Sequence, residues 1–422
     1  MPQFTHLHVH TEYSILDGMS KISDLVDKCL RTGMNAMAIT DHGNMFGIKE
    51  FFDYVDKKNG GVKDEIKAIE KEMAGLTSEE DLAACRERLS AAKAKIFKPI
   101  FGCEAYVARQ TKSNPTGSRL VKEFKENFSG YHLILLAKNE TGYHNLCKMV
   151  SYAWIEGKYQ RPRIDHELLE KYHEGIIVSS ACLAGEVPKA LANMDYEKAK
   201  EIVTWYKSIF GDDYYLEIQR HETNKPGGDR TVYEQQKLVN EGILRLAAET
   251  GTKVIATNDV HFVEEEHAEA HDRLICLSTG KRLNDADRLH YTKQEWLKTP
   301  EEMAEIFADV PEALANTQEI VDKVETYKLR KTCAPNSSRM RRAKAELRNS
   351  AVWNGFTVSS WSPTTFASSP WRARTTATAK TWILRFRSAS ISSWVSCATW
   401  VSRDTFSLCR TSSPPPATWA CR

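Results

Sequence analysis

The chain has 422 residues, of which 41% are hydrophobic and 27% charged, so it can bury a full core and is not fibrous, collagen-like or wholly disordered. No apolar run approaches the length of a membrane-spanning helix, and the first twenty residues carry His, Glu and Asp where a signal peptide would be apolar. We therefore expect a cytoplasmic protein without a membrane partner. The ten cysteines form no CxxC pair, which argues against a disulfide framework or a zinc ribbon.

Charge divides the chain at about residue 330. Residues 331–422 hold 14 of the 58 Lys and Arg and 2 of the 56 Asp and Glu, which leaves 44 basic and 54 acidic side chains before them. This tail also holds seven of the ten tryptophans and no histidine. A basic disordered arm and a small Trp-rich module are two interpretations. We favour a third, a frame-shifted and disordered end, because disordered arms are usually poor in aromatic residues and folded modules balance their charges.

Before the tail, short apolar strands alternate with amphipathic helices. The first strand is followed by a helix that a Ser20 cap opens and Gly33 closes. Further helices are predicted at residues 199–209 and 238–248. About seven such units favour a barrel-like α/β fold. The predicted strands are residues 4–9, 36–40, 100–107, 133–137, 176–179, 214–218 and 254–257.

Two helical stretches depart from this alternation. Residues 62–96 are charged and helical, with Thr77 and Glu80 placed as a capping box, and they predict a solvated helical hairpin inserted in a loop. A docking surface is the alternative for its Lys/Glu face. Residues 300–324 predict a final helix that opens with a second capping box, Thr299 and Glu302.

Polar side chains concentrate where strands end. His6, His8 and His10 alternate along the first strand, so one face would carry three imidazoles. Strand 36–40 runs into Asp41 and His42, and strand 254–257 runs into Asp259 and His261. The carboxyl ends of barrel strands meet at one end of the barrel, so these groups indicate a metal site rather than solvated edge histidines. Two nearby carboxylates could bridge ions: Asp17 and Glu104.

Seven segments together resemble the polymerase and histidinol phosphatase (PHP) domain of bacterial DNA polymerase III alpha subunits. The similarity runs in order from about residue 3 to 330. The segments are residues 8–14 (HVHTEYS), 17–18 (DG), 39–44 (ITDHGN), 102–106 (GCEAY), 131–137 (YHLILLA), 161–165 (RPRID) and 256–261 (ATNDVH).

The resemblance implies a distorted (β/α)7 barrel over residues 1–285 with a trinuclear metal centre. Zn²⁺ or Mn²⁺ suits imidazole and thiolate ligands, with up to three ions, and Mg²⁺ is an alternative. Asp17, His42 and Asp259 would be the catalytic groups. The implied metal ligands are His8, His10, Asp17, His42, Glu104, His132, Cys182, Asp259 and His261.

Some of these assignments have alternatives in the sequence itself. His132 opens its predicted strand instead of ending it, so only the resemblance recommends it. Taken alone, Cys182 is better explained as a buried apolar cysteine, and the resemblance is what makes it a candidate ligand. His6, Asp41 and His221 are candidates to orient the ligands, and a surface position is the alternative for His221.

The resemblance also implies partners and two classes of function. A metal-dependent phosphoesterase would be a 3′–5′ exonuclease at a DNA primer terminus, which Arg161 and Arg163 would contact. A non-catalytic module would support a polymerase core, and a stand-alone histidinol-phosphatase-like enzyme is a further alternative. Residues 286–330 would lead toward a missing polymerase core, so we expect no polymerase active site in this chain. A proofreading subunit and a sliding clamp would be further replisome partners.

Overall fold

The computed structural model describes residues 4–329, which form a mixed α/β fold. The strands are β1 Ala36–Ile39, β2 Lys98–Ala108, β3 Gly130–Ala137, β4 Arg163–Ile164, β5 Ile176–Ser179, β6 Tyr214–Ile218 and β7 Lys253–Ala256. The α-helices are α1 Ile22–Arg31, α2 Ile48–Lys58, α3 Gly60–Met73, α4 Glu79–Ala94, α5 Glu140–Ile155, α6 His166–Lys171, α7 Glu186–Ala192, α8 Tyr196–Phe210, α9 Thr231–Thr250, α10 Ala268–Thr279, α11 Pro300–Ile306 and α12 Pro311–Lys323. Among the described helices, none is long and apolar enough to cross a membrane.

The strands form one curled sheet in the order β1-β2-β3-β5-β6-β7, with β4 added beside β2. Most neighbours run parallel, but β3 is antiparallel to both β2 and β5. This is the distorted barrel that the sequence predicts. The reversed β3 is the departure from a regular alternation, and it places the start of β3 at the same end as the carboxyl ends of the other strands.

The amino-terminal segment closes the barrel, although it is not the regular strand predicted at residues 4–9. The amide of Ala38 donates to the His6 carbonyl at 2.9 Å, and the amide of Thr40 donates to the Val9 carbonyl at 2.8 Å. On the other side, the amide of His10 donates to the Val260 carbonyl at 2.7 Å. The segment thus bonds to β1 and to the chain after β7, but its bonds are too few for a continuous ladder.

A buried apolar cluster fills the barrel at the end where the parallel strands begin. It includes Ala38, Ile177 and Ile255 from the sheet, and Ile320 and Val324 from α12 and its end. The carboxyl ends of the parallel strands therefore lie at the opposite, polar end. The predicted helix at residues 300–324 is divided into α11 and α12, because Pro311 begins a new helix.

The inserted hairpin is formed by α3 and α4, which share a small apolar core of Ile69, Cys85 and Ala92. Its base is closed by Asn59, whose side-chain amide donates to the Phe97 carbonyl at 2.8 Å and accepts from the Phe97 amide at 3.0 Å. The hairpin is therefore a satellite of the barrel with its own packing.

Helix capping was predicted correctly at one of three positions. The Thr299 hydroxyl accepts from the Glu302 amide, and the Glu302 carboxylate accepts from the Thr299 amide. The Thr77 and Glu80 box is wrong, because Ser78 precedes α4 and makes no side-chain cap. The Ser20 cap is also wrong, since Lys21 takes that position before α1. The predicted tail at residues 331–422 lies outside the described residues.

Candidate metal centre

The imidazoles and carboxylates predicted from strand ends meet at the polar end of the barrel. His8 and His10 are fully buried on the closing segment, and Glu104 on β2 is 1% exposed. His42 follows β1, and His261 follows β7. Three overlapping groups of these residues have ligand atoms within 4.8 Å of one another: His10, Asp17, His42 and His261; His8, His10 and Glu104; His42, Glu104 and His132.

Glu104 lies at the middle of the cluster because its two oxygens face different imidazoles. Its Oε1 lies 2.7 Å from His132 Nδ1, while its Oε2 lies 2.7 Å from His42 Nδ1 and 3.2 Å from His10 Nε2. A carboxylate with a different set of neighbours on each oxygen suits a bridge between two ions. Since His10, His42 and Glu104 are shared, the three groups are subsites of one centre.

Asp259 and Cys182 border these groups. Asp259 Oδ1 lies 3.1 Å from His8 Nε2 and 3.3 Å from His10 Nε2. The Cys182 thiol lies 3.7 Å from His132 Nδ1 and 4.0 Å from Glu104 Oε1. The structure therefore brings together all nine residues that the resemblance implies as ligands.

Asp17 enters the centre from a tight loop. Its Oδ2 lies 3.1 Å from His42 Nε2 and 3.0 Å from His261 Nε2. The next residue must be Gly18, because a Cβ there would lie 2.3 Å from the Thr11 carbonyl oxygen. This close approach explains the Asp17-Gly18 pair in physical terms.

Unusual backbone conformations accompany three of these residues. Leu16 before Asp17 has φ 62°, Ala181 before Cys182 has φ 60°, and Asp259 itself has φ 46°. Non-glycine residues in this region cost of order 1–3 kcal/mol each, and they persist where the surrounding packing enforces them. Three of the seven such residues among the described ones therefore lie at or directly before predicted ligands.

Electrostatics in the cluster favour cationic imidazoles. Burial opposes the charge on His8, but the carboxylates of Asp259, Glu217 and Glu104 outweigh it and hold the His8 pKa well above its usual value. The same balance of burial against Asp17 and Asp259 raises the pKa of His261 to about 9. Burial also opposes the charge on Glu104, yet the imidazoles of His132, His42 and His8 hold its pKa well below normal. The carboxylates thus require positive charge nearby, which either protons or metal ions can supply.

Five buried polar atoms in the cluster approach one another to 2.7–3.3 Å without the geometry of a hydrogen bond: His8 Nε2, His10 Nε2, His42 Nδ1, Glu104 Oε2 and Asp259 Oδ1. Buried polar atoms without partners are costly and rare in folded proteins. Here each belongs to a residue with a neighbouring ligand group, so cations would satisfy them together. The donor set of imidazoles, carboxylates and one thiol fits Zn²⁺ or Mn²⁺.

Surrounding side chains hold the predicted ligands in position. Glu217 on β6 lies 2.7 Å from His8 Nδ1, and the Thr257 hydroxyl donates to Glu217 at 2.6 Å. The Ser14 hydroxyl lies 2.9 Å from His10 Nδ1, and it donates to Asp41 at 3.1 Å. Such contacts fix the ring orientation of metal-binding histidines.

Sequence reasoning missed Glu217 and Tyr291. Glu217 is the one carboxylate inside a strand of otherwise apolar and aromatic residues, and that contrast could have identified it. The Tyr291 hydroxyl donates to Asp17 Oδ1 at 2.9 Å, but it lies in an irregular segment far along the chain. No local pattern marks it.

The structure also shows where three histidines lie whose positions the sequence left open. His132 belongs to the centre because β3 is reversed, so its first residues lie beside Tyr106 near the carboxyl end of β2. His6 points away from the cluster, with Nε2 2.8 Å from the Lys298 carbonyl. The surface alternative for His221 is wrong, since its side chain is buried and its Nε2 lies 3.2 Å from the Asn258 carbonyl.

Arg163 is not placed to contact DNA, contrary to the sequence prediction. Its side chain is fully buried. Its guanidinium donates to the carbonyls of Gly157, Asn127, Arg119 and Val121 at 2.8 to 3.1 Å. It therefore holds the loop between β2 and β3 in place, whereas Arg161 is exposed.

Comparison with known proteins gives a family and a set of relatives. The PHP domain family model matches residues 6–221. DNA polymerase III subunit alpha from Borreliella burgdorferi is 39% identical over 328 residues, which cover 78% of this chain and 24% of the relative. The same subunits from Campylobacter jejuni and Helicobacter pylori are each 40% identical over 76% of this chain and 23% of their own length. The chain thus spans about a quarter of the length of these curated relatives.

Proposed function

Because the chain belongs to the PHP domain family, we propose that its cluster is a metal-dependent phosphoesterase centre that acts as a 3′–5′ exonuclease on a DNA primer terminus. The observation that carries this proposal is the convergence of five buried polar atoms without hydrogen-bond partners. The name of these relatives, DNA polymerase III subunit alpha, supports DNA as the substrate. Other replisome subunits, such as a proofreading subunit and a sliding clamp, are the proposed partners.

The nine converging residues would hold up to three ions of Zn²⁺ or Mn²⁺, with Mg²⁺ as an alternative. Ions in such a centre lower the pKa of water and stabilise the attacking and leaving oxygens of a phosphodiester. The protein's own contribution is positioning: Glu104 faces four imidazoles, Asp259 Oδ1 faces those of His8 and His10, and Glu217 fixes the orientation of His8.

Asp17, His42 and Asp259 are the proposed catalytic groups, because each lies beside the open side of the centre. Asp17, His42 and Asp259 side chains are 22%, 18% and 17% exposed, whereas His8 and His10 are fully buried. A substrate that enters from solvent therefore meets Asp17, His42 and Asp259, together with His132, which is 20% exposed, before it meets His8 and His10.

The test is metal-dependent shortening of a 5′-labelled primer by the full chain. We expect shortening with Mn²⁺ or Zn²⁺, none with a chelator, and loss of at least about a hundredfold in His10→Ala or Asp259→Asn. The control is His144→Ala, which removes a histidine that is 63% exposed on α5.

The competing function is a structural module in which the ions only stabilise the barrel. A protein with full metal content that leaves the primer intact would contradict the exonuclease proposal and favour this module. A chain that hydrolyses histidinol phosphate but no DNA would favour the stand-alone phosphatase.

A further inference from the structure

The candidate centre presents a difficulty for a polyanionic substrate. Asp17, Glu104 and Asp259 all face into it, and residues 1–330 carry 54 acidic against 44 basic side chains. Ions would neutralise the carboxylates at the attacked phosphate. The neighbouring phosphates of a strand would still need cations at the rim of the site.

Arg161 is one such cation. It is exposed, and its guanidinium carbon lies 5.6 Å from the centre of the Tyr106 ring. The Tyr106 ring is stacked on His42 at 5.7 Å between centroids with an interplanar angle of 19°. Its edge also contacts His132 at 5.2 Å. Arg161 is therefore separated from two candidate ligands by a single aromatic ring.

Lys158 is a second cation on the same side. It is exposed, and its Nζ lies 4.4 Å from the Trp154 ring centre. The Trp154 indole donates to the carbonyl of Gly43, the residue after His42, at 2.7 Å. The segment that carries both cations packs against this loop, because a Cβ on Gly43 would lie 2.7 Å from Pro162.

Both charges are available for a ligand. Among residues 4–329, neither Lys158 nor Arg161 forms a salt bridge with a carboxylate. The nearby Arg119, in contrast, is paired with Glu156, Asp165 and Glu167. Aromatic rings beneath the two free cations restrict their motion without neutralising them.

We propose that Arg161 and Lys158 form a phosphate-binding subsite for the nucleotides beside the scissile bond of a single-stranded DNA end. The guanidinium suits paired hydrogen bonds to phosphate oxygens, and the ammonium suits a neighbouring phosphate as a point charge. The identity of the attacked bond rests on the proposed function. The subsite itself concerns binding and can be measured without hydrolysis.

The experiment is fluorescence anisotropy of a labelled single-stranded oligonucleotide with the full chain, over a range of salt concentrations. Arg161→Gln and Lys158→Gln should each raise the Kd about tenfold. On a single strand, each phosphate contact contributes about 0.7 to the slope of log K against log salt. The double variant removes two contacts, so its slope should be smaller in magnitude by about 1.4. Arg161→Lys should retain most of the affinity, because the charge remains.

A matched control is Arg245→Gln. Arg245 is also exposed and its guanidinium lies 4.2 Å from the Tyr196 ring centre, but unlike Arg161 it is paired with Glu249 at 2.9 Å. It lies near the carboxyl end of α9, which leads into the start of β7. It is thus at the opposite end of the barrel, and its removal should leave the Kd within about twofold. An equal effect of Arg245→Gln and Arg161→Gln would overturn the proposal, as would an unchanged salt slope in the double variant.

A parallel assay separates this proposal from the proposed function. Hydrolysis of bis(p-nitrophenyl) phosphate tests the centre on a small diester that lacks neighbouring phosphates. No hydrolysis of it by the metal-loaded chain would contradict the phosphoesterase, while the binding data would still decide the subsite. If hydrolysis occurs, Arg161→Gln should reduce kcat/KM at least about fivefold more for the oligonucleotide than for the small diester.

Discussion

Glu104 shows how one residue can organise a polynuclear centre. It is buried, its oxygens face four different imidazoles, and its charge, against the opposing effect of burial, helps to raise the pKa of His8 and of His42. Its motif, Gly102-Cys103-Glu104, marks it as a candidate from sequence. Its position at the middle of the cluster depends on which side chains converge around it, which only the folded chain reveals.

Tyr291 provides the first prediction at the residue scale. Burial, together with Asp17, raises the pKa of Tyr291 well above its usual value, so it stays a neutral donor to Asp17 Oδ1. Tyr291→Phe should weaken metal binding about tenfold, the lower end of the effect of removing such a contact. Titration against a chelating indicator measures this, with Tyr233→Phe on α9 as the control. Equal affinities of the two variants would contradict the role of Tyr291.

His271 provides a pH-dependent prediction. Its Nε2 lies 2.9 Å from the Asp17 carbonyl, and burial lowers its pKa to about 4. In the unfolded chain His271 takes up a proton near pH 6.5, whereas in the folded chain it does so only near pH 4. The stability of the folded chain is therefore unaffected by this group above pH 6.5, and it decreases as the pH falls toward 4. This loss amounts to at most about 3 kcal/mol.

The measurement compares free energies of unfolding of the native chain and His271→Gln, which keeps a donor for the Asp17 carbonyl. The difference between them should shrink as the pH falls from 6.5 to 4. The control is His144→Gln, at a position on α5 that is 63% exposed. A constant difference for His271→Gln would contradict the assignment.

At the scale of elements, apolar patterns predict strands well and boundaries or irregular segments less well. Strands β5 and β6 match their predicted spans because each is a short apolar run between helices. The closing segment was predicted as a strand because its side chains alternate, but its hydrogen bonds are divided between two neighbours. The reversal of β3 cannot be read from periodicity, since alternation carries no direction, and this is why His132 alone seemed misplaced.

Thr299 gives a prediction for one helix. Its hydroxyl caps α11, so Thr299→Ala should reduce the free energy of unfolding by about 1 kcal/mol. Urea denaturation measures this. Thr204→Ala is the control, because that exposed hydroxyl bonds only to the Lys200 carbonyl of its own helix, and a change within about 0.5 kcal/mol is expected there. Equal losses in both variants would contradict the cap.

The helical hairpin gives a prediction for a larger element. Because α3 and α4 pack on each other and Asn59 bonds to Phe97 at their base, a short glycine linker should replace residues 60–94 without loss of the metal centre. Metal content per chain is the readout. A variant that folds, with native circular dichroism outside the lost helices, but carries no metal would show that the hairpin supports the centre.

At the scale of the whole molecule, the barrel has its apolar core at one end and its candidate metal centre at the other. Apolar side chains from six strands and α12 fill one end, while the polar groups of the candidate centre occupy the other. α12 thus packs directly on the barrel, and the prediction that residues 286–330 lead toward a polymerase core stays a prediction. The candidate ligands could be proposed from the sequence because several follow predicted strands and all nine occupy positions that the family resemblance implies. It could not predict residues such as Tyr291, which reach the centre through long-range packing.

Elemental analysis of the purified full chain tests most directly whether the converging side chains bind metal. Three overlapping ligand groups predict roughly two to three equivalents of Zn or Mn per chain, and His10→Ala should lower that number because His10 belongs to two of the groups. Less than about one equivalent after loading and desalting, in a chain with a native circular dichroism spectrum, would contradict the metal centre.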